Sequence, residues 1–136
     1  MAVVIRKADY ERMLEHARTG VPFEACGLIA GRVEGVDRLV ERVFPLENPD
    51  QSAEHFTIDP RQQLAAVKEM RALGLAPLGN FHSHPATPAR PSEEDIRLAH
   101  DPKAAYLILS LAGEAPVLRA FEIRGGEAAA LEVRIV

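Results

Sequence analysis

The stretch that decides the fold is Asn80–Asp95, which reads NFHSHPATPARPSEED. His82 and His84 lie two residues apart, and alternate residues of a β-strand project from the same face of a sheet. Pro85 predicts that this strand ends directly after the second histidine, where sites in layered α/β proteins tend to open. Asp95 follows after ten intervening residues, enough for a rigid turn and the first turn of a helix to bring a carboxylate back. The stretch predicts a cluster of two imidazoles and one carboxylate.

Two histidines and an aspartate supply three metal ligands and leave a fourth tetrahedral position for water. This pattern is typical of catalytic zinc, whereas structural zinc sites are closed and usually contain cysteines. Such a site lowers the pKa of its water to about 7 and needs a base that moves protons to the leaving group. Glu24 is the candidate base because it precedes a short apolar strand, although spacing alone does not distinguish it from thirteen other glutamates.

Apolar and β-branched runs predict the strands around this cluster. The segments are Met1–Lys7, Cys26–Gly31, Leu39–Leu46, His55–Ile58, Leu75–His84, Ala104–Leu111, Val117–Ile123 and Ala129–Val136. Loops are expected near Gly35, over Asn48–Glu54 and over the proline-rich Pro85–Pro91.

Three segments predict helices from their apolar periodicity and their capping signals. The first carries Tyr10, Met13, Leu14 and Ala17 and stops at Gly20 and Pro22. The second opens with Asp59-Pro60-Arg61-Gln62, an N-cap followed by a proline at the first helical position, and its expected buried residues are Leu64, Val67 and Met70. The third spans Ser92–His100 and carries Ile96 and Leu98.

Helices interspersed among strands, with consecutive strands at the end, predict an α/β or α+β fold in which a mixed sheet is covered by helices on both faces. The chain has 136 residues, 47% of them hydrophobic, and shows no repeat or linker. We therefore expect a single domain over residues 1–136.

Composition narrows the class of protein. The lone Cys26 allows no internal disulfide and favours a reducing compartment, so we expect the cytoplasm. The N-terminus turns charged after four apolar residues, and no run approaches the about 18 apolar residues of a membrane span, so neither a signal peptide nor a membrane partner is expected. The net charge is −4 and the charges are scattered, which argues against nucleic acid as a partner.

The histidine stretch resembles the motif of the JAMM (MPN+) metalloproteases. Seven residues separate His84 from Ser92, two separate Ser92 from Asp95, and Glu24 stands upstream before a glycine-containing strand. The order of glutamate strand, helix, histidine strand and Ser-x-x-Asp helix agrees as well, so the resemblance covers nearly the whole chain. It implies the JAMM/MPN fold, a three-layer architecture like that of cytidine deaminases.

The resemblance also implies roles for these residues. His82, His84 and Asp95 would bind one zinc ion per chain with its water or hydroxide, Glu24 would be the general base, and Ser92 would help to stabilise the oxyanion. The implied reaction is hydrolysis of an amide bond, with the proton passed to the leaving nitrogen.

The short chain and the run Glu24-Ala25-Cys26-Gly27 resemble the bacterial branch of that family, which acts on small ubiquitin-like sulfur-carrier proteins. The implied substrate is a C-terminal Gly-Gly tail from which cysteine, tail residues or adducts are released. Such a tail can lie as an added strand, for which the loop Asn48–Glu54 and the following segment are the expected place. The identity of the carrier, the leaving group and the existence of a homodimer stay open.

Simpler interpretations stand beside these. Ser92 and Asp95 form a capping box for the third helix, and a capping serine has only one oxygen for two roles. Cys26 is expected to be a small buried apolar residue. His16, His55 and His100 have no companions at ligand spacing and are expected on the surface or in packing.

Two other functions stay open at this stage, a general zinc-dependent small-peptide hydrolase and a non-catalytic MPN binding module. A zinc deaminase is excluded because its signature requires cysteines that this chain lacks.

Overall fold

Ten elements of regular secondary structure alternate along residues 1–136, all of which the computed structural model describes. The strands are β1 (Ala2–Ile5), β2 (Cys26–Glu34), β3 (Asp37–Leu46), β4 (Ala76–His84), β5 (Ala105–Ser110), β6 (Val117–Arg124) and β7 (Glu127–Ile135). The helices are α1 (Lys7–Gly20), α2 (Pro60–Ala72) and α3 (Glu93–Arg97).

The seven strands form one mixed sheet in the order β1-β3-β2-β4-β5-β6-β7. β1 pairs in parallel with both β3 and β7, so the sheet closes into a barrel in which every strand has two neighbours. β4 and β5 are also parallel, whereas the remaining pairs are antiparallel. The predicted α+β class with a mixed sheet is confirmed. The closure of the sheet could not be predicted, because the sequence does not show which strands pair.

The two faces of β2 bury different helices, because successive side chains of a strand point in opposite directions. Ile29 packs inside the barrel with Met13 of α1. Leu28, on the opposite face, packs with Ala66 and Met70 of α2. Helices therefore cover both faces of the sheet, as predicted. No helix of the chain has the length and apolar character needed to cross a membrane.

Three local expectations are wrong. The segment His55–Ile58 forms no strand, because closure leaves the sheet without a free edge for it; the Asn48 side chain bonds the backbone of this segment instead. Leu64 is 56% exposed, since α2 meets the sheet along the side of Ala66 and Met70. The third helix ends at Arg97, and the chain after it returns toward β5.

The α2 N-terminus follows its capping signal. The Asp59 carboxylate accepts from the Arg61 N–H at 2.9 Å, and Pro60 occupies the first turn. Gln62 binds outside the helix, accepting from the Glu47 N–H at 2.9 Å. This bond connects the start of α2 to the end of β3.

β4 reaches its position only because Gly79 has no side chain. Its φ is +154°, and a Cβ there would lie 1.9 Å from the Ala105 carbonyl oxygen on β5. The β2–β4 register also shifts beside this residue, between Ile29 and Ala30. Gly79 thus allows the close approach of β4 to β5.

We expect Gly79→Ala to destabilise the protein by about 3 kcal/mol or more, because the methyl group would collide with backbone that cannot move without separating the two strands. Urea unfolding measures the change. Gly113→Ala is the matched control, since a Cβ there meets only an ordinary contact at 3.7 Å, and it should shift stability by no more than about 0.5 kcal/mol. Equal stability of the two variants would contradict this role for Gly79.

Candidate metal centre

The end of β4 and the start of α3 bring the predicted donor atoms together. The Nε2 atoms of His82 and His84 are 3.1 Å apart, and each lies 3.2 Å from Oδ2 of Asp95. Both histidines are buried. The three predicted ligand residues therefore form a nearly equilateral triangle of donor atoms, and they are the one group of three or more possible ligand side chains that meet in this way.

The size of this triangle fits a tetrahedral zinc ion. Ligand bonds of about 2.0–2.1 Å at tetrahedral angles place neighbouring donor atoms about 3.3 Å apart. The observed separations are 3.1–3.2 Å, so an ion above the triangle would reach all three atoms with a fourth direction left open.

The hydrogen bond that His84 makes through Nδ1 leaves its other ring nitrogen, Nε2, facing the Asp95 carboxylate. Its Nδ1 lies 2.9 Å from the carbonyl oxygen of Pro88, so Nδ1 carries the hydrogen and donates it there. When His84 is neutral, its Nε2 lone pair therefore points at Asp95. Two acceptors 3.2 Å apart repel one another, and either a proton on Nε2 or a metal cation between them removes that repulsion, so the donor set fits a metal ion.

Asp95 is held by the capping box that the sequence predicts. Its carboxylate accepts from the Ser92 N–H at 2.9 Å, and its own N–H donates to the Ser92 hydroxyl oxygen at 3.0 Å. Burial alone would raise the pKa of Asp95, but the neighbouring imidazoles of His82 and His84 hold that pKa well below its usual range. Asp95 therefore stays an anion, as a metal ligand requires.

Glu24 lies beside this triangle. Its backbone N–H donates to the Ser52 carbonyl at 2.7 Å, and its carbonyl accepts from the Asn48 amide at 3.0 Å, so the loop after β3 fixes the backbone. Its side chain is buried, and burial raises the pKa of Glu24 to about 7, with the His84 imidazole lowering it and the Asp95 carboxylate raising it further. A carboxyl with a pKa near neutrality suits proton transfer at neutral pH.

Only three buried side-chain polar atoms of the chain have no hydrogen-bond partner, and all three belong to this region. They are Oε1 of Glu24, Nδ1 of His82 and Oδ1 of Asn80. Buried polar groups are normally paired because an unpaired one costs about 1–3 kcal/mol. Their concentration around the donor triangle makes this region the candidate functional site.

Ser83, which the sequence reasoning passed over, connects the two halves of the site. It faces away from its flanking histidines, donates its N–H to the Ala25 carbonyl at 2.9 Å, and accepts from the Ala25 N–H at 2.8 Å through its hydroxyl. This pair of bonds fixes the segment of Glu24 against β4. The alternation of the strand gives the only sequence signal, because the residue between two outward histidines points inward.

His55, which was expected on the surface or in packing, makes contacts that the sequence does not indicate. Its two ring nitrogens contact Glu94 on α3 and Asp50 on the loop after β3, the latter at 2.7 Å. The hydrogen bond with Glu94 raises the pKa of His55. The next residue, Phe56, stacks on the His82 ring with centroids 4.6 Å apart. No sequence spacing signals these contacts, since they join segments that only the fold brings together.

The other candidate residues take structural positions, as predicted. Cys26 is fully buried, and burial raises the pKa of its thiol to about 12, which leaves it without nucleophilic character. His16 bonds the carbonyl oxygens of Cys26 and Leu46 from α1. His100 is exposed.

Comparison with known proteins agrees with this geometry. Residues 6–124 match the family described as prokaryotic homologs of the JAB domain. The chain belongs to this family. The resemblance to the bacterial JAMM metalloproteases that the sequence indicates is confirmed.

Three similar proteins cover most of the chain. The CysO-cysteine peptidase of Mycobacterium tuberculosis is 40% identical over 108 residues, which are 79% of this chain and 73% of that protein. A probable TtuB-protein conjugate cleaving protease of Thermus thermophilus is 38% identical over 134 residues, covering 98% and 84% of the two chains. The solution structure of a Desulfitobacterium hafniense protein matches with a TM-score of 0.91 at 55% identity, covering 100% of this JAB domain chain and 93% of the other.

The buried Glu24 predicts how the stability of the metal-free protein depends on pH. Its pKa is raised from 4.5 to about 7 in the folded state, so the protonated carboxyl stabilises the fold below pH 4.5, and that stabilisation is lost as pH rises to about 7. Glu24→Gln mimics the protonated form. At pH 8 we expect this variant to be more stable than the wild type by up to about 3 kcal/mol, and at pH 4.5 nearly equal to it.

Denaturant unfolding in the presence of a chelator, repeated across this pH range, measures the difference. Glu93→Gln, at an exposed position in α3, is the control and should follow the wild type at every pH. A Glu24→Gln curve parallel to that of the wild type would show that burial does not disfavour the Glu24 anion.

Proposed function

We propose that this JAB domain protein is a zinc-dependent peptidase or isopeptidase that hydrolyses the amide bond after the C-terminal Gly-Gly of a small ubiquitin-like sulfur-carrier protein. The observation that carries the proposal is the donor triangle of His82, His84 and Asp95 with the buried carboxyl of Glu24 beside it. The names of the Mycobacterium and Thermus relatives support the substrate class, and the former supports cysteine as one leaving group.

In this proposal the three donor atoms hold one zinc ion per chain. The ion, when bound, supplies Lewis-acid polarisation of the amide carbonyl and of the attacking water. Glu24 takes the proton of that water and delivers it to the leaving nitrogen; burial, which raises the pKa of Glu24 to about 7 in the metal-free protein, makes it a stronger base than an exposed carboxylate. We place the activity in the cytoplasm, the reducing compartment that suits a lone thiol.

Ser92 can act in both roles that the sequence left in competition, because the two roles use different atoms. The cap uses a lone pair of its oxygen, which accepts from the Asp95 N–H at 3.0 Å. The hydroxyl hydrogen stays available to donate toward the oxygen of the scissile carbonyl as negative charge develops there. The exposed position of Ser92 leaves this hydrogen accessible to substrate.

The segment His55–Ile58 offers the backbone along which a tail would lie. The His55 carbonyl and the Thr57 N–H bond the Asn48 side chain on one side. The N–H and carbonyl groups of Phe56, between these two residues, take part in none of the chain's hydrogen bonds. A Gly-Gly tail, which has no side chains to collide, can pair with Phe56 as an added strand.

Elemental analysis combined with cleavage assays tests the proposal. We expect about one zinc per chain in the wild type and in Glu24→Gln, and none in His82→Ala, because two ligands do not retain the ion. The wild type should cleave a carrier protein extended beyond Gly-Gly and stop when a chelator is added. Glu24→Gln should be at least ~100-fold slower despite its metal, as expected for loss of a general base.

Other outcomes separate the alternatives. Equal cleavage of short peptides that lack a folded carrier would favour a general small-peptide hydrolase. A wild-type protein without metal, or cleavage unaffected by the chelator, would favour a non-catalytic binding module.

The dual role of Ser92 gives a separate expectation. Ser92→Ala should lower stability by about 1 kcal/mol through loss of the cap, and should lower kcat by at least ~10-fold through loss of the hydroxyl donor. Ser92→Thr keeps both groups and should retain most of the rate. If excess zinc restores the rate of Ser92→Ala, the serine acts only by holding Asp95, and its role toward the oxyanion is wrong.

A further inference from the structure

Two of the three unpaired buried polar atoms, Nδ1 of His82 and Oδ1 of Asn80, belong to side chains that line one cavity. The cavity, of about 200 Å³, lies between α3 and the outer face of β4 and β5. Asn80 and His82 are alternate residues of β4 and therefore project from the same face. Most of the remaining wall consists of apolar or aromatic side chains: Phe56, Ile58, Pro91, Leu98, Tyr106, Ile108 and Ile123.

His82 needs an acceptor in this cavity if it binds a metal ion. An imidazole that binds a cation through Nε2 carries its hydrogen on Nδ1 and must donate it. For His84 the Pro88 carbonyl meets this need at 2.9 Å, but His82 has no such partner. The stacked ring of Phe56 holds the plane of the imidazole without offering an acceptor at its edge.

Each of the two carboxylates that also line the cavity contacts another side chain through one of its oxygens. Glu94 contacts His55, and the Asp95 Oδ2 atom lies on the Nε2 side of His82. Tyr106 directs its hydroxyl to the Asp101 backbone, at 3.2 Å from both N and O. The amide oxygen of Asn80 is the buried acceptor in this cavity that has no hydrogen-bond partner.

We propose that Asn80 is a positioning residue whose amide oxygen accepts the Nδ1–H of His82 through one bridging water. Alternate strand residues lie about 6.6 Å apart, which two hydrogen bonds of about 2.8 Å and the reach of the side chains span. The cavity has room and polar partners for a water. The bridge fixes the tautomer and the ring orientation in which His82 presents its Nε2 lone pair to the metal. This inference rests on the metal site of the proposed function.

Zinc affinity, measured by competition with a chromophoric chelator, tests the inference without using activity. Asn80→Leu keeps the approximate volume but removes the acceptor, and should bind zinc about 10–100-fold more weakly. Asn80→Ser keeps a neutral acceptor with room for water and should stay within about threefold of the wild type. Tyr106→Phe removes a hydroxyl from the same cavity and should leave the affinity unchanged, because that hydroxyl serves Asp101.

Nuclear magnetic resonance of the zinc-loaded protein gives a second readout. The His82 Nδ1–H should exchange slowly in the wild type and in Asn80→Ser, and rapidly in Asn80→Leu. Unfolding of the zinc-free variants verifies that each one folds. A wild type that binds no zinc overturns the proposed function itself, whereas a wild type and an Asn80→Leu variant with equal affinity and equal exchange overturn only the role of Asn80.

Discussion

The double pairing of β4 is the constraint on which the site depends. β2 holds this strand in antiparallel register and β5 holds it in parallel register, with His82 opposite both Cys26 and Ile108. A slip of one residue would turn every side chain to the other face of the sheet. It would bring Phe81, which is 1% exposed, out of the core and drive two imidazoles into it. Core packing therefore selects the register in which the histidines face the site.

The same register positions the candidate base. Residues 24 and 82 are distant in the chain, yet the Ser83 hydroxyl and N–H both bond Ala25, directly after Glu24. Any shift of β4 would move the histidines and the Glu24 segment together. The inward serine of the His-Ser-His run thus maintains the distance between the donor triangle and the carboxyl, while the outward histidines supply the donors.

How far the sequence predicts the site follows from how local each part is. His82, His84 and Asp95 lie within fourteen residues, so a strand, a rigid turn and a capped helix suffice to predict their meeting. Only the family resemblance distinguishes Glu24 from the other glutamates, since strand pairing rather than spacing brings it near. The same limit explains the errors over His55–Ile58 and Leu64: extended backbone becomes a strand, and a periodic apolar residue becomes buried, only where the closed barrel offers a partner.

Asp95 completes the capping box of α3 and also supplies one of the three donor atoms of the triangle. Helix α3 has only five residues, too few to be stable by itself, so its capping box and the packing of Ile96 determine where it lies. The carboxylate that completes the cap also faces two imidazoles. Because the cap orients this carboxylate before any ion arrives, binding loses little side-chain entropy. A metal ion bound by these donors, as proposed, would stabilise this end of the barrel, because the free energy of its binding would add to the free energy of folding.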